Sequence, residues 1–420
     1  MLRTMAVDDD LRRALLQDAP RGPLGDAITR YLAGGAEQLE LPAFSPVPSL
    51  STTTAVTVAA VVAGAVGAAV VSRWAARGTV LGTLALGLGA AAAVGLVALL
   101  LLVPVGLRPF GVVHLAYLGL VVSVPMIGVA VAVAAIRGDS ASSRGLAVAA
   151  VLLVLPAALG WYATHVEPYR LTVERVRVPV AADRAGDDPV RIGVLADLQT
   201  NDIGRHERRA VDLLLAEEPD LILLPGDLFQ GSEGQFAAHE DELRALLGRL
   251  EAPHGVYFVR GDVDHRDFAD RALRGTGVVI LDDQAVEVEV GDRRLRIGGN
   301  RLQYAATAAV ALRRALEGGT PEDGTVRILV AHRPDAVLDL PPDSRIDLTV
   351  AGHTHGGQVV VPGIGPLLTM SRVPRAVAAG GLHAIDGNPI YVSPGVGLER
   401  NQAPQIRFLS PPSIAVLELR

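Results

Sequence analysis

Four uncharged apolar runs in the first 165 residues constrain this chain more than any other feature. They cover residues 54–71, 79–104, 110–136 and 145–163. Each is near or above the roughly 18 to 20 residues that carry a helix across the hydrocarbon of a bilayer. A helix buried in a soluble core keeps a polar face, and these runs have none. Four transmembrane helices over 51–165 are therefore expected. Small residues at Ala63-Gly64-Ala65-Val66-Gly67 and Gly87-Leu88-Gly89 would let such helices approach closely. His114 lies near the end of its run and reads as interfacial, so it gives no reason to assign a channel or pump.

Residues 1–50 form a polar N-terminal region without the basic-then-apolar layout of a cleavable signal peptide. Arg73 and Arg77 flank the first interhelical turn, Arg137 and Arg144 the third, and only Arg108 the second. By the positive-inside rule the first and third turns face the cytoplasm. That places the C-terminal domain outside it, although Arg170, Arg175 and Arg177 pull the other way.

From residue 171 onward the pattern becomes that of a soluble α/β domain of about 250 residues, 171–420. LTVERVRVPV (171–180) alternates as a half-buried strand does, while RIGVLAD (191–197), DLILLPGD (220–227) and GVYFVRGDVD (255–264) read as buried strands ending on acids. Further strands are expected at 278–281, 285–290, 294–298, 326–332 and 347–351, with helices at 205–217 and 236–250. The strand-helix order predicts a mainly parallel core, whose ligands gather outside the carboxyl ends of its strands.

Asp197, Asp227, Asp262, Asp264, His332, His353 and His355 all fall at such ends. An Asp that caps the next helix explains any one case. It does not explain five strand ends, nor the histidines. The chain has no cysteine, so the donors are oxygens and imidazoles, a set suited to Mn, Fe, Zn or Mg. Clustered carboxylates need cations to stay charged together. A net charge of -7 without a basic cluster argues against a nucleic-acid partner.

The order of these motifs resembles the calcineurin-like metallophosphoesterase superfamily, in its membrane-associated bacterial branch. The residues that carry the resemblance are Asp197-Leu198-Gln199, Gly226-Asp227, Gly261-Asp262-Val263-Asp264, His332 in Ala331-His332-Arg333-Pro334-Asp335, and Gly352-His353-Thr354-His355. Gly356-Gly357-Gln358, Tyr391-Val392-Ser393 and PQIRF (404–408) add to it. The resemblance implies an αββα sandwich holding two divalent ions. Asp227 would bridge them, Asp197, His355 and Gln199 would complete one shell, and Asp262, His332 and His353 the other. The implied reaction is in-line hydrolysis of a phosphoester by a metal-activated water.

Three positions depart from the family pattern. Gln199 stands for a histidine ligand, Asp262 for an asparagine, and Val263 for the histidine expected to protonate the leaving group or bind the phosphate. Asp264 and His265 are the neighbouring candidates for that catalytic role; beside two cations, Asp264 should stay ionised. Arg333 would serve either phosphate oxygens or a salt bridge. The expected function is a membrane-anchored, metal-dependent phosphoesterase of a bacterial cell membrane, acting on a phosphoester of lipid or envelope origin. The alternative is a metal-binding pseudoenzyme with a regulatory or scaffolding role.

Overall fold

The computed structural model describes residues 50–420 other than 138–140, 182, 185, 187, 265, 301–305, 321–322 and 343. The polar region 1–50, but for its last residue, and His265 therefore lie outside the described residues.

Five helical segments form four spans. They are α1 (Leu50–Trp74), α2 (Val80–Leu102), α3 (Pro109–Leu118), α4 (Val124–Arg137) and α5 (Ala141–His165). A single wide turn at Gly119–Ser123 joins α3 to α4 without breaking the span. Each span is long and apolar enough to cross a membrane. The first and last helices extend a few residues past their apolar runs, whereas α2 ends at Leu102, inside its run, where a turn containing Pro104 follows. The small residues act as expected: a Cβ added at Gly67 would lie 2.7 Å from the carbonyl oxygen of Gly87, so α1 and α2 touch backbone to backbone there.

The remaining chain builds two facing six-stranded sheets. The first has the order β1 (Thr172–Val178), β14 (Ser413–Leu419), β2 (Val190–Val194), β3 (Leu221–Leu224), β4 (Val256–Phe258) and β5 (Val279–Ile280). The second runs β12 (Gly381–Ile385), β13 (Asn388–Val392), β9 (Leu348–Ala351), β8 (Thr325–Ala331), β7 (Arg293–Asn300) and β6 (Gln284–Val290). A short pair, β10 (Val360–Val361) and β11 (Gly365–Pro366), stands apart. Pairing is mainly parallel, with antiparallel exceptions at β14–β2, β12–β13 and β6–β7. Sequence reading passes over β14, which inserts between β1 and β2.

Successive side chains point to opposite faces, and both faces of the central strands are covered, so these strands are apolar throughout, as in LILL of β3. In β3, Leu221 and Leu223 meet Ile328, Val330 and Val350 of the opposite sheet. Ile222 and Leu224 turn outward, against α6 (Arg205–Leu215) and α7 (Glu233–Leu247). Leu329, Ile390 and Val392 face outward from the second sheet onto Leu312 and Leu316, beyond α8 (Arg266–Leu273) in the chain and within α9 (Ala306–Glu317). A four-residue helix, α10 (Arg375–Ala378), completes that side. The result is the αββα layering. It brings the carboxyl ends of β2, β3 and β4 opposite those of β8 and β9.

Candidate metal centre

Each candidate ligand follows a strand closely. Asp197, Asp227 and Asp262 come three or four residues after β2, β3 and β4, His332 directly after β8, and His353 two residues after β9. The backbone leaves these strands under strain. Asp197, Gln199, Asp227, His353 and His355 all have φ between +31° and +73°, so five of the seven candidate ligands hold a left-handed conformation that non-glycine residues rarely adopt. Such strain persists only where surrounding structure imposes it. Here the glycines of the motifs let backbone approach carboxylate: a Cβ at Gly352 would lie 2.6 Å from Asp197 Oδ2, and one at Gly261 would collide with Asp227 Oδ1.

Two groups of donors come together, each with its ligand atoms within 4.8 Å of one another: Asp262 with His332 and His353, and Asp197 with Asp227 and His332. His332 Nε2 is 3.3 Å from Asp227 Oδ2 and 3.6 Å from Asp262 Oδ2. Its other nitrogen, Nδ1, lies 2.8 Å from the carbonyl of Pro225. That bond holds a proton on Nδ1. Burial would lower the imidazole, but the surrounding Asp227, Asp262 and Asp197 raise it well above its usual value, so a bound cation would take the place of the Nε2 proton. His353 is arranged in the opposite sense, with Nε2 3.1 Å from the Met370 carbonyl and Nδ1 2.8 Å from Asp262 Oδ2. The backbone N–H of His353 donates to both oxygens of Asp197 at 3.0 Å.

The electrostatics fit a cation. Burial pushes the Asp197 carboxyl up to about 7, with the charge of His332 drawing it down and that of Asp227 adding to the rise. Burial would also raise Asp262, but His332, His353 and Arg333 outweigh it and hold that carboxyl well below its ordinary range. Burial and then the charge of Arg407 hold His355 well below the usual imidazole value, the neutral state in which an imidazole can bind a metal; it lies outside both donor groups above. Of thirteen buried side-chain atoms without a hydrogen-bond partner among the described residues, three gather here: His332 Nε2, His355 Nδ1 and Gln199 Oε1. Each is an atom able to ligate a metal, and such orphans are rare in folded proteins.

The neighbouring positions are employed otherwise. Asp264 accepts from the backbone N–H groups of Asp227 (2.6 Å), Gly261 (2.8 Å) and Leu228 (2.8 Å), which occupies the oxygens that a proton donor would have to offer. Burial, and then the charge of Asp227, push its carboxyl up to about 6. Val263 contributes its backbone N–H to Asp227 Oδ1 at 2.9 Å. Arg333 forms the salt bridge, with Nη2 2.6 Å from Asp262 Oδ1.

Sequence reading overlooks Gln230, Glu399 and Arg407. All three are loop residues without periodicity, and Gln230 and Glu399 meet Gln199 from 31 and 200 positions away. An isolated buried arginine in PQIRF was the one available signal.

Comparison with known proteins gives a consistent assignment. Residues 190–357 match the family model for the calcineurin-like phosphoesterase domain. The chain is 27% identical over 268 residues to the uncharacterized metallophosphoesterase YkuE of Bacillus subtilis (strain 168), covering 62% of this chain and 89% of the relative. It is 30% identical over 272 residues to phosphodiesterase YaeI of Escherichia coli (strain K12), covering 59% of this chain and 91% of that one. A transmembrane protein with metallophosphoesterase domain from Bos taurus is 28% identical over 244 residues, covering 53% of this chain and 52% of the relative, so the chain spans about half of its length.

Proposed function

The chain belongs to the calcineurin-like phosphoesterase family, and on that premise we propose that it is a metal-dependent phosphoesterase anchored in a bacterial membrane by its four apolar helices. The observation that supports this most is the set of orphaned buried atoms, His332 Nε2, His355 Nδ1 and Gln199 Oε1, among carboxylates. Asp197, Gln199 and His355 would hold one divalent ion, Asp262, His332 and His353 a second, with Asp227 between them. Bound there, the ions supply Lewis acidity, lower the pKa of water and balance charge on a phosphoryl group.

The protein's own side chains prepare that site. Arg333 and the Pro225 carbonyl fix Asp262 and His332, and Asp264 holds the loops that carry Asp227 and Gly261. No titratable side chain occupies position 263. Esters whose leaving group needs no proton are therefore the favoured substrates. Anchoring at a bilayer raises the effective concentration of lipid or envelope phosphoesters, which we take as the substrate pool.

The valine at 263 also favours a second reading, a metal-binding pseudoenzyme with a regulatory role. Hydrolysis of nitrophenyl phosphodiesters and phosphomonoesters by the purified full chain separates the two. Turnover with Mn, Mg, Fe or Zn, lost in Asp227→Asn and in His353→Ala, supports the enzyme. Stoichiometric metal binding without turnover supports the pseudoenzyme.

A further inference from the structure

Gln199 poses a problem that a histidine would not. A side-chain amide has two unlike ends: the oxygen ligates a cation and the NH₂ group does not. A glutamine serves as a ligand only if its surroundings decide which end faces the ions.

Four hydrogen bonds decide it here. The backbone N–H of Arg400 donates to Gln230 Oε1 at 2.9 Å. A backbone donor has no second orientation, so it sets the Gln230 amide. Gln230 Oε1 then accepts from Gln199 Nε2 at 2.9 Å, while Gln230 Nε2 donates to Glu399 Oε1 at 3.0 Å. The other oxygen of Glu399 accepts from Gln199 Nε2 at 3.1 Å. Both N–H bonds of Gln199 are consumed. Its Oε1 is left fully buried and without a partner.

We propose that Glu399 and Gln230 are positioning residues that turn Gln199 into an oxygen ligand, and so tune one half of the centre to a hard cation such as Mn or Mg. The proposal rests on the metal-dependent reading above. The two halves then differ in chemistry. On one side Asp197, Asp227 and Gln199 offer oxygens beside the imidazole of His355, with His332 Nε2 3.3 Å from the shared Asp227; on the other, Asp262 is joined by the imidazoles of His332 and His353. Carboxylate and carbonyl oxygens suit Mn and Mg; imidazoles suit Zn and Fe. Without the clamp, the Gln199 amide is free to rotate and present NH₂ to a cation, which repels it.

The test is Mn binding to metal-stripped full-length protein, followed by electron paramagnetic resonance, with Zn as competitor. The wild type should bind two ions. Glu399→Leu should weaken one of them by about 10- to 100-fold and leave the other unchanged, as loss of an orienting partner does. Adding Gln199→His to Glu399→Leu should restore that ion and shift its preference from Mn toward Zn, because imidazole needs no such clamp. Wild-type affinity for both ions in Glu399→Leu would overturn the clamp alone. So would simultaneous loss of both ions, or failure of Gln199→His to restore binding, since either would indicate general damage to the loop. A wild type that binds neither ion would overturn the metal reading itself, and the clamp with it.

Discussion

The backbone N–H of Arg407 donates to the carbonyl of Ala163, 2.9 Å away in α5, so the last apolar helix is tied directly to the loop behind the candidate metal centre. The Arg407 side chain is fully buried and reaches the other way. Nη1 donates to the carbonyls of His355 (3.3 Å) and Ser410 (3.1 Å), and Nη2 to those of Pro394 (2.9 Å), Gly395 (3.1 Å) and Gly397 (2.7 Å). Beside it, the Ser410 N–H donates to Glu167 Oε1 at 2.7 Å. Burial lowers the guanidinium to about 10, which leaves it charged at neutral pH. Arg407→Leu would orphan several buried carbonyls at a cost of about 1 to 3 kcal/mol each. The expected outcome is a loss of at least about 3 kcal/mol in denaturant unfolding. Arg407→Lys should recover only part, because an ammonium cannot fork to both carbonyl sets. Full recovery by lysine would show that charge alone matters there.

Asp264 distinguishes an acid from a clamp. Its carboxylate accepts three backbone N–H groups, and Asp264→Asn would turn an NH₂ group against some of those donors. Stability should fall by roughly 3 kcal/mol, as when hydrogen bonds to a buried charge are lost. Hydrolysis should fall equally for good and poor leaving groups. A proton donor behaves differently: its loss spares nitrophenyl esters and harms alkyl esters. A selective loss of alkyl ester hydrolysis would therefore return Asp264 to the catalytic role.

The parts of this architecture that repeat were legible in the sequence. Four apolar runs, and strands such as DLTV before Gly352, carry their periodicity in adjacent residues, and the observed elements agree to within a few positions. The candidate ligands were legible for a related reason, since Asp197, Asp227, Asp262, His332 and His353 each follow an apolar strand within four residues. The support around them was not. Glu399, Gln230 and Arg400 converge on Gln199 from loops, through hydrogen bonds that leave no pattern along the chain. Strand β14 is passed over because SIAVLEL is not followed by the Asp or His that draws attention to the others.

An ion pair between a buried arginine and a partly exposed carboxylate, far from the centre, gives a pH signature. Arg327 is fully buried, and its Nη2 lies 2.7 Å from Asp323 Oδ2. Burial alone would raise the Asp323 carboxyl, but the Thr325 amide and the Arg327 guanidinium outweigh it and bring it down to about 2. The folded value is thus below the unfolded one. Stability from this pair is present above the ordinary value of 3.8 and is lost as pH falls through about 2. Asp323→Asn should cost about 1 kcal/mol at neutral pH, allowing for solvent screening. The gap between wild type and variant should stay constant until the pH nears 3.8 and close below it. A gap that widens in acid would contradict the assignment.

The helix turns bear on sidedness. Gln402 Oε1 accepts from the Arg108 N–H at 2.7 Å, and Gln402 Nε2 donates to the Gly106 carbonyl at 2.9 Å. The turn between α2 and α3 is therefore on the domain's side. The turns flanked by Arg73 and Arg77, and by Arg137 and Arg144, lie at the opposite helix ends. By the positive-inside rule those ends are expected on the cytoplasmic side and the domain on the other, against the pull of Arg170, Arg175 and Arg177. The chain has no cysteine, so single introduced thiols report cleanly. In intact cells a membrane-impermeant maleimide should label Asp241→Cys, on an almost fully exposed side chain, and should reach Ala76→Cys only after permeabilisation. The reverse pattern would put the domain in the cytoplasm.

Position 263 offers a gain of function. The Val263 N–H already donates to Asp227 Oδ1 at 2.9 Å, so the backbone stands beside the centre whatever side chain it carries. A histidine there would present an imidazole whose ordinary pKa lies near neutrality, suited to handing a proton to a departing alkoxide. For alkyl phosphoesters, Val263→His should raise turnover at least about 10-fold, within the range that a general acid supplies. Nitrophenyl esters should change little, because their leaving groups depart unprotonated. The dependence of rate on leaving-group pKa should therefore flatten in the variant. If both ester classes rise together, the added imidazole acts on the phosphoryl group instead. If neither rises, proton transfer at this position does not limit the reaction.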